Sequence, residues 1–188
     1  MEYAESIRDG KKVACLELRQ AVERFFRDLE SPDYELDAKG PEFCIGIIEK
    51  TLCHQQGERL DGTPLRGTPF LLEPFHKFII YNLLGFKLAG TDVVRFHEAL
   101  VFIPRKNIKT SFAAALSWAL SLWYRRSGSK MYIASAALMQ SLESFNFLNY
   151  NIRRMGEDSR DGGNIRVIDN NNEHSLSCTC LLYTSDAA

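Results

Sequence analysis

One segment restricts the possible folds more than any other part of this 188-residue chain. Residues 100–110, LVFIPRKNIKT, begin as an apolar run, turn at Pro104 into a basic loop, and end in Lys109-Thr110 before an alanine-rich stretch. An apolar strand, a loop and a helix in this order are typical of α/β proteins whose loop binds phosphate. In such loops a lysine neutralises the outer phosphates and a Ser/Thr hydroxyl binds Mg²⁺. Lys109 and Thr110 fit these two roles.

The segment lacks the glycines of the common P-loop. When G-x-x-x-x-G-K-[ST] is aligned on it, Ile103 and Ile108 occupy the two glycine positions. Ile108 falls where glycine normally relieves backbone strain, and a β-branched residue resists positive φ. The loop therefore either takes a different path, in which Ile108 points into the packing between sheet and helix, or carries strain of about 1–3 kcal/mol.

Composition restricts the class of protein and its location. With 45% hydrophobic and 25% charged residues, the chain is large enough for one domain with a real core. A net charge of −1 provides no general basic field, so any DNA contact would need a local patch. No apolar stretch is long enough to cross a bilayer and the N-terminus has no signal core, which predicts a cytoplasmic protein. The five cysteines show no C-x-x-C pairs, which favours reduced thiols.

Hydrophobic periodicity predicts an α/β fold. Apolar residues at three- to four-residue steps predict helices, continuous apolar runs predict buried parallel strands, and a polar turn between two short runs predicts a hairpin. The predicted helices are 1–30 (or a helix pair broken near Gly10), 40–54, 71–86, 110–125 and 139–155. The predicted strands are 98–104 and 130–135, with a hairpin of 165–168 and 174–178. Strands that alternate with helices predict a parallel sheet.

Four blocks of the sequence, in order, carry a family resemblance. They are GKKVACLELRQAVERFFRDLE, PFLLEPFHKFIIYNLLGF, RFHEALVFIPRKNIKTSFAAAL and KMYIASAALMQSLESFNF. With them the chain resembles the large subunit of the tailed-phage terminase, the motor that packages viral DNA. That family uses a P-R-K-N type of Walker A loop in place of the glycine-rich form. The resemblance therefore favours the different loop path for Ile108.

The resemblance implies a fold and a domain organisation. The expected architecture is an incomplete P-loop NTPase core, a parallel sheet with flanking helices, preceded by a helical N-terminal extension. We place the helical region at residues 1–60 and the partial ATPase domain at 61–178. Residues 179–188 are predicted to be a non-native tail, because CLLYTSDAA looks like the translation of a sequencing adapter. The Walker B carboxylates and the nuclease domain of the family would follow residue 178, so the chain is expected to be a truncated fragment with little hydrolytic activity of its own.

The resemblance also implies site residues, ligands and partners. Lys109 and Arg105 would be catalytic, Thr110 would hold Mg²⁺, and the adenine of ATP would lie against Phe75 and His76, where the family has Gln at the second position. The phosphate-binding loop would comprise Arg105, Lys106, Asn107, Ile108, Lys109 and Thr110. The intact motor would bind double-stranded DNA, the terminase small subunit and the portal protein, form a homo-oligomer, and work at the procapsid in the host cytoplasm without a membrane.

Other interpretations of the same residues stay open. The chain could belong to another P-loop ATPase that acts on nucleic acid, such as a helicase-type enzyme, or be a non-enzymatic remnant that binds no nucleotide. Lys109-Thr110 could be a solvated helix start, and Arg105 with Lys106 a surface charge pair. Phe75 and His76 could simply cap a core helix.

Overall fold

The computed structural model describes residues 2–59, 61–104, 107–124 and 130–178. The chain divides into two compact units, which we describe separately. Unit 1 comprises Met1–Gly46 and Leu72–Phe102, and unit 2 comprises Ile47–Leu71 and Ile103–Ala188. This division differs from the predicted boundary after residue 60, because each unit combines segments from both sides of that boundary. The predicted tail, 179–188, lies outside the described residues.

Helices and strands both occur, so the chain is mixed α/β. The described residues form six α-helices: α1 Glu2–Arg8, α2 Leu16–Glu30, α3 Lys39–Thr51, α4 Pro74–Leu84, α5 Lys109–Trp123 and α6 Leu138–Met155. They also form four strands, β1 Tyr34–Leu36, β2 Phe86–Leu88, β3 Ile165–Asp169 and β4 His174–Cys178, and a 3-10 helix, Ser159–Asp161. None of these helices is long and apolar enough to span a membrane.

The predicted helices are confirmed, with ends displaced by a few residues. The first of them is the predicted helix pair: Gly10 adopts φ +71°, a left-handed conformation that ends α1, and α2 begins at Leu16. Glycine suits this position because it has no Cβ to clash. Pro74 occupies the first turn of α4, where its missing N–H costs no helical hydrogen bond.

The core of unit 1 is built around aromatic rings. Phe25 of α2 lies 5.4 Å from Phe86 of β2 and 5.5 Å from Phe78 of α4, measured between ring centroids. Phe25 and Phe86 are 2% and 0% exposed. β1 and β2 pair antiparallel, with Tyr34 opposite Leu88. Neither short strand was predicted from the sequence.

A buried ion pair also holds α2 within unit 1. Asp28, whose side chain is 3% exposed, pairs with the Arg95 guanidinium. The same guanidinium lies 4.0 Å above the Tyr34 ring. Burial is the main cause that lowers the pKa of Arg95, and the charges of Arg24 and Arg27 lower it further.

In unit 2, α5 packs against α6. The side of α5 that is buried consists mostly of alanines, and Ala114, Ala115 and Ala119 are each 0% exposed. Small side chains allow the two helices to approach closely. Because α5 follows the basic loop directly, this packing fixes the direction in which the start of α5 points within the unit.

The predicted hairpin is confirmed. β3 and β4 pair antiparallel, with Asp169 opposite His174. The Asn170 side-chain oxygen accepts hydrogen bonds from the backbone N–H groups of Asn172 and Glu173, both at 2.9 Å. Such local bonds are the reason that asparagine favours turns.

The predicted parallel sheet is not found in the described residues. Both sheets there are two-stranded and antiparallel, and the segments 98–104 and 130–135 belong to neither. Leu100 and Phe102 in the first segment are 93% and 94% exposed, and Tyr132 in the second is 85% exposed. An extended segment becomes a strand only when neighbouring strands accept and donate its backbone hydrogen bonds. The apolar pattern predicted strands at these segments but could not supply those neighbours.

Candidate functional site at the start of α5

The basic loop enters α5 through an unusual backbone conformation. Ile108, the residue before the first helical position, has φ +54° and ψ +21°, which is left-handed. It is the sole residue other than glycine with positive φ in the described ranges. For a β-branched side chain this conformation is a steric outlier. The N–H of Phe112 donates to the Ile108 carbonyl at 2.8 Å, so the helix begins immediately after this residue.

The start of α5 offers donors and positive charge. The first N–H groups of a helix have no partner within it, and the helix dipole adds a partial positive charge at this end. Ile108 makes no side-chain capping bond, and the first turn of α5 carries no acidic residue. Lys109 is exposed and Thr110 half-buried. A left-handed residue followed by helical ones turns successive N–H groups toward one point, which suits an anion.

A side-chain bond joins the two described residues on either side of 105–106. The Asn107 Nδ2 donates to the Pro104 carbonyl at 3.2 Å. The sequence predicted a phosphate contact for Asn107 and gave no weight to this bond. The spacing P-x-x-N could have indicated it, since proline and asparagine are both favoured in turns.

The predicted path for Ile108 is wrong. We expected its side chain to avoid positive φ and to pack between sheet and helix, but it is left-handed and 39% exposed. The physical reason is that the residue directly precedes the first helical position, where the loop ends and α5 begins. The glycine position of the P-loop pattern therefore has the backbone conformation that glycine would favour, although the side chain is isoleucine.

The remaining predicted site residues belong to unit 1 or lie outside the described residues. Arg105 and Lys106 lie outside the described residues, so their phosphate contacts stay predictions. Phe75 and His76 belong to unit 1, at the start of α4. Their ring centroids are 3.9 Å apart. His76 is only 2% exposed, so a ligand such as adenine could reach Phe75, which is half-buried, more readily than His76.

The residues present fit the phosphates of a nucleotide better than they fit a metal by itself. In the described part of the chain, no group of three or more His, Cys, Asp or Glu side chains could hold a metal ion. The uncapped N–H groups, the exposed Lys109 and the absence of acidic residues from the first turn of α5 suit an oxyanion. The role of the Thr110 hydroxyl on Mg²⁺ stays a prediction.

We expect Ile108→Gly to raise the free energy of unfolding by about 0.5–1 kcal/mol. Left-handed isoleucine costs about 1–2 kcal/mol, while glycine loses about 0.5–1 kcal/mol more backbone entropy on folding. Urea denaturation followed by circular dichroism measures the difference. Ile108→Ala is the control. Alanine removes the isoleucine side chain beyond Cβ, as glycine does, but it keeps the Cβ that causes most of the backbone clash. A loss of stability in Ile108→Gly would show instead that the isoleucine side chain is packed.

Comparison with known proteins adds no relative of this chain. No protein-family model matches it. No curated protein matches it, and no solved structure does. The start of α5 therefore has to be interpreted from its own geometry and from the sequence blocks described above.

Proposed function

We propose that this chain binds the phosphates of Mg²⁺-ATP at the start of α5, as the nucleotide-binding part of a terminase large subunit. In the intact motor, ATP hydrolysis would drive the translocation of double-stranded DNA into a procapsid in the host cytoplasm. The terminase small subunit, the portal protein and further copies of the large subunit would be the partners. These assignments extend the sequence resemblance to the geometry around Ile108.

The left-handed Ile108 is the observation that carries the proposal. A non-glycine residue with this conformation costs energy and persists only where its surroundings enforce it, and such residues concentrate at functional sites. Here it directly precedes Lys109, at the position of the second glycine of the P-loop pattern. At this one position the backbone has the conformation that glycine would favour, which supports the proposal.

The order of elements supports a P-loop core as the larger fold. An apolar segment, 98–104, leads into the loop and α5, and a second one, 130–135, leads into α6. We propose that both become strands of a parallel sheet in the intact motor, where further strands would pair with them. Exposed apolar side chains on unpaired segments, such as Phe102 at 94% exposure, are what strands of a buried sheet present when their neighbours are absent.

The chemistry assigned to the chain's own residues is charge stabilisation and positioning. Lys109 would neutralise the outer phosphate oxygens, the first N–H groups of α5 would donate to them, and Thr110 would orient its hydroxyl toward the metal. Phosphoryl transfer depends mainly on such contacts. The bound nucleotide with its Mg²⁺ would supply the transferable phosphoryl group.

We expect Lys109→Ala to weaken Mg²⁺-ATP binding by about 100-fold. A charge-assisted hydrogen bond contributes about 1.5–3 kcal/mol, and each 1.4 kcal/mol changes affinity tenfold. Isothermal titration calorimetry with ATP measures the change. Lys130→Ala removes another exposed lysine from unit 2 and serves as the matched control.

The titration also separates the alternatives. Equal binding by Lys109→Ala and wild type would place the nucleotide elsewhere and contradict the proposal. No ATP binding by the wild-type chain, with an intact circular dichroism spectrum, would favour the non-enzymatic remnant.

A further inference from the structure

Burial alone does not explain the left-handed conformation of Ile108. The residue is 39% exposed, so packing cannot be its sole restraint. A strained conformation persists where the chain on both sides determines it. The cause should therefore lie in the bonds made by the residues next to Ile108.

Two bonds restrain the chain at Ile108, one on each side. On the helical side, the Phe112 N–H holds the Ile108 carbonyl at 2.8 Å, which sets ψ. On the loop side, the Asn107 Nδ2 donates to the Pro104 carbonyl at 3.2 Å, which ties Asn107 to the residue three positions earlier. The proline ring further fixes φ of Pro104. Ile108 therefore lies between Asn107, which this bond restrains, and the start of α5.

We propose that Asn107 is a positioning residue whose side chain holds Ile108 left-handed and thereby aims the first N–H groups of α5 at the phosphates. For its nucleotide part, this inference rests on the function proposed above. Without the bond to Pro104, Asn107 is no longer restrained and Ile108 relaxes to negative φ. The loop then loses the arrangement that a ligand needs, although the helix and its packing against α6 remain.

The experiment compares wild type, Asn107→Ala, Ile108→Gly and the double variant. The first readout needs no nucleotide: a strong intraresidue NOE between the Ile108 amide and α protons marks positive φ, and we expect it in wild type and its loss in Asn107→Ala. The second is ATP affinity. With isoleucine at position 108, we expect Asn107→Ala to weaken ATP binding about tenfold. With glycine at position 108, the same substitution should weaken it much less, because glycine adopts the left-handed conformation without being held.

Asn170→Ala is the matched control, since it removes an asparagine that closes the hairpin turn of unit 2 and should leave both readouts unchanged. A persisting NOE in Asn107→Ala would overturn the inference. So would an equal loss of ATP affinity with Ile or Gly at 108, which would indicate a direct phosphate contact by Asn107. If the wild-type chain binds no ATP, the proposed function fails, while the NOE still decides whether Asn107 holds Ile108.

Discussion

Phe25→Ala is expected to lower the free energy of unfolding by about 3–5 kcal/mol, the usual cost of removing a buried phenyl ring. Phe25 is 2% exposed and contacts three other rings, at centroid distances of 5.6 Å to Phe26, 5.5 Å to Phe78 and 5.4 Å to Phe86. Alanine leaves a cavity that these rings can fill only partly. Urea denaturation followed by far-ultraviolet circular dichroism measures the loss.

Two controls make this test specific. Phe25→Leu keeps most of the buried volume and should cost less than about 2 kcal/mol. Phe102→Ala removes the same ring from a site that is 94% exposed, so the change should stay within about 0.5 kcal/mol. A large loss in Phe102→Ala would show that segment 98–104 is paired and buried in solution, contrary to the structure.

Asn151→Ala is expected to destabilise unit 2 by about 3 kcal/mol. Asn151 is 0% exposed; its Oδ1 accepts from the Cys53 N–H at 2.7 Å, and its Nδ2 donates to the Cys53 carbonyl at 3.1 Å. Each buried backbone group left without a partner costs about 1–3 kcal/mol, and alanine leaves two. The measurement is again urea denaturation, with tryptophan fluorescence as a second probe.

A neighbour on the same helix provides the matched control. Asn149 is 8% exposed, and its side-chain oxygen finds no partner in the described part of the chain. Asn149→Ala therefore removes a buried amide of the same size without leaving backbone groups unpaired, and should cost clearly less. If both variants lost the same free energy of unfolding, the hydrogen bonds of Asn151 would contribute nothing beyond the volume that its side chain fills.

The elements that the sequence predicted well are those stabilised by near neighbours. The ends of α5 and α6 lie within two residues of the predicted ones, and α2 forms the second part of the helix predicted for residues 1–30. These predictions succeed because contacts at three- and four-residue steps lie within one helix. The β3–β4 hairpin follows from the asparagine-rich turn that joins its strands. Local bonds of this kind need no knowledge of the rest of the chain.

The elements that the sequence predicted poorly depend on partners that are distant along the chain. β1 and β2 pair Tyr34 with Leu88, and neither short segment has a pattern of its own that marks it as a strand. Segments 98–104 and 130–135 have the apolar pattern of buried strands, but no strand in the described residues pairs with them through backbone hydrogen bonds. The contact between Asn151 and Cys53 likewise joins residues that are far apart in sequence, so no local spacing indicates it.

The candidate site shows the same distinction. The amino-acid sequence by itself determined which residue types stand at the helix start, Lys109 and Thr110 after a basic loop, and hence a site for phosphate as the leading hypothesis. Only the tertiary structure decided that Ile108 is left-handed and exposed, and that His76 is buried in unit 1. Residue types determine which groups can bind, whereas backbone angles and burial arise from packing and hydrogen bonds that no single segment contains.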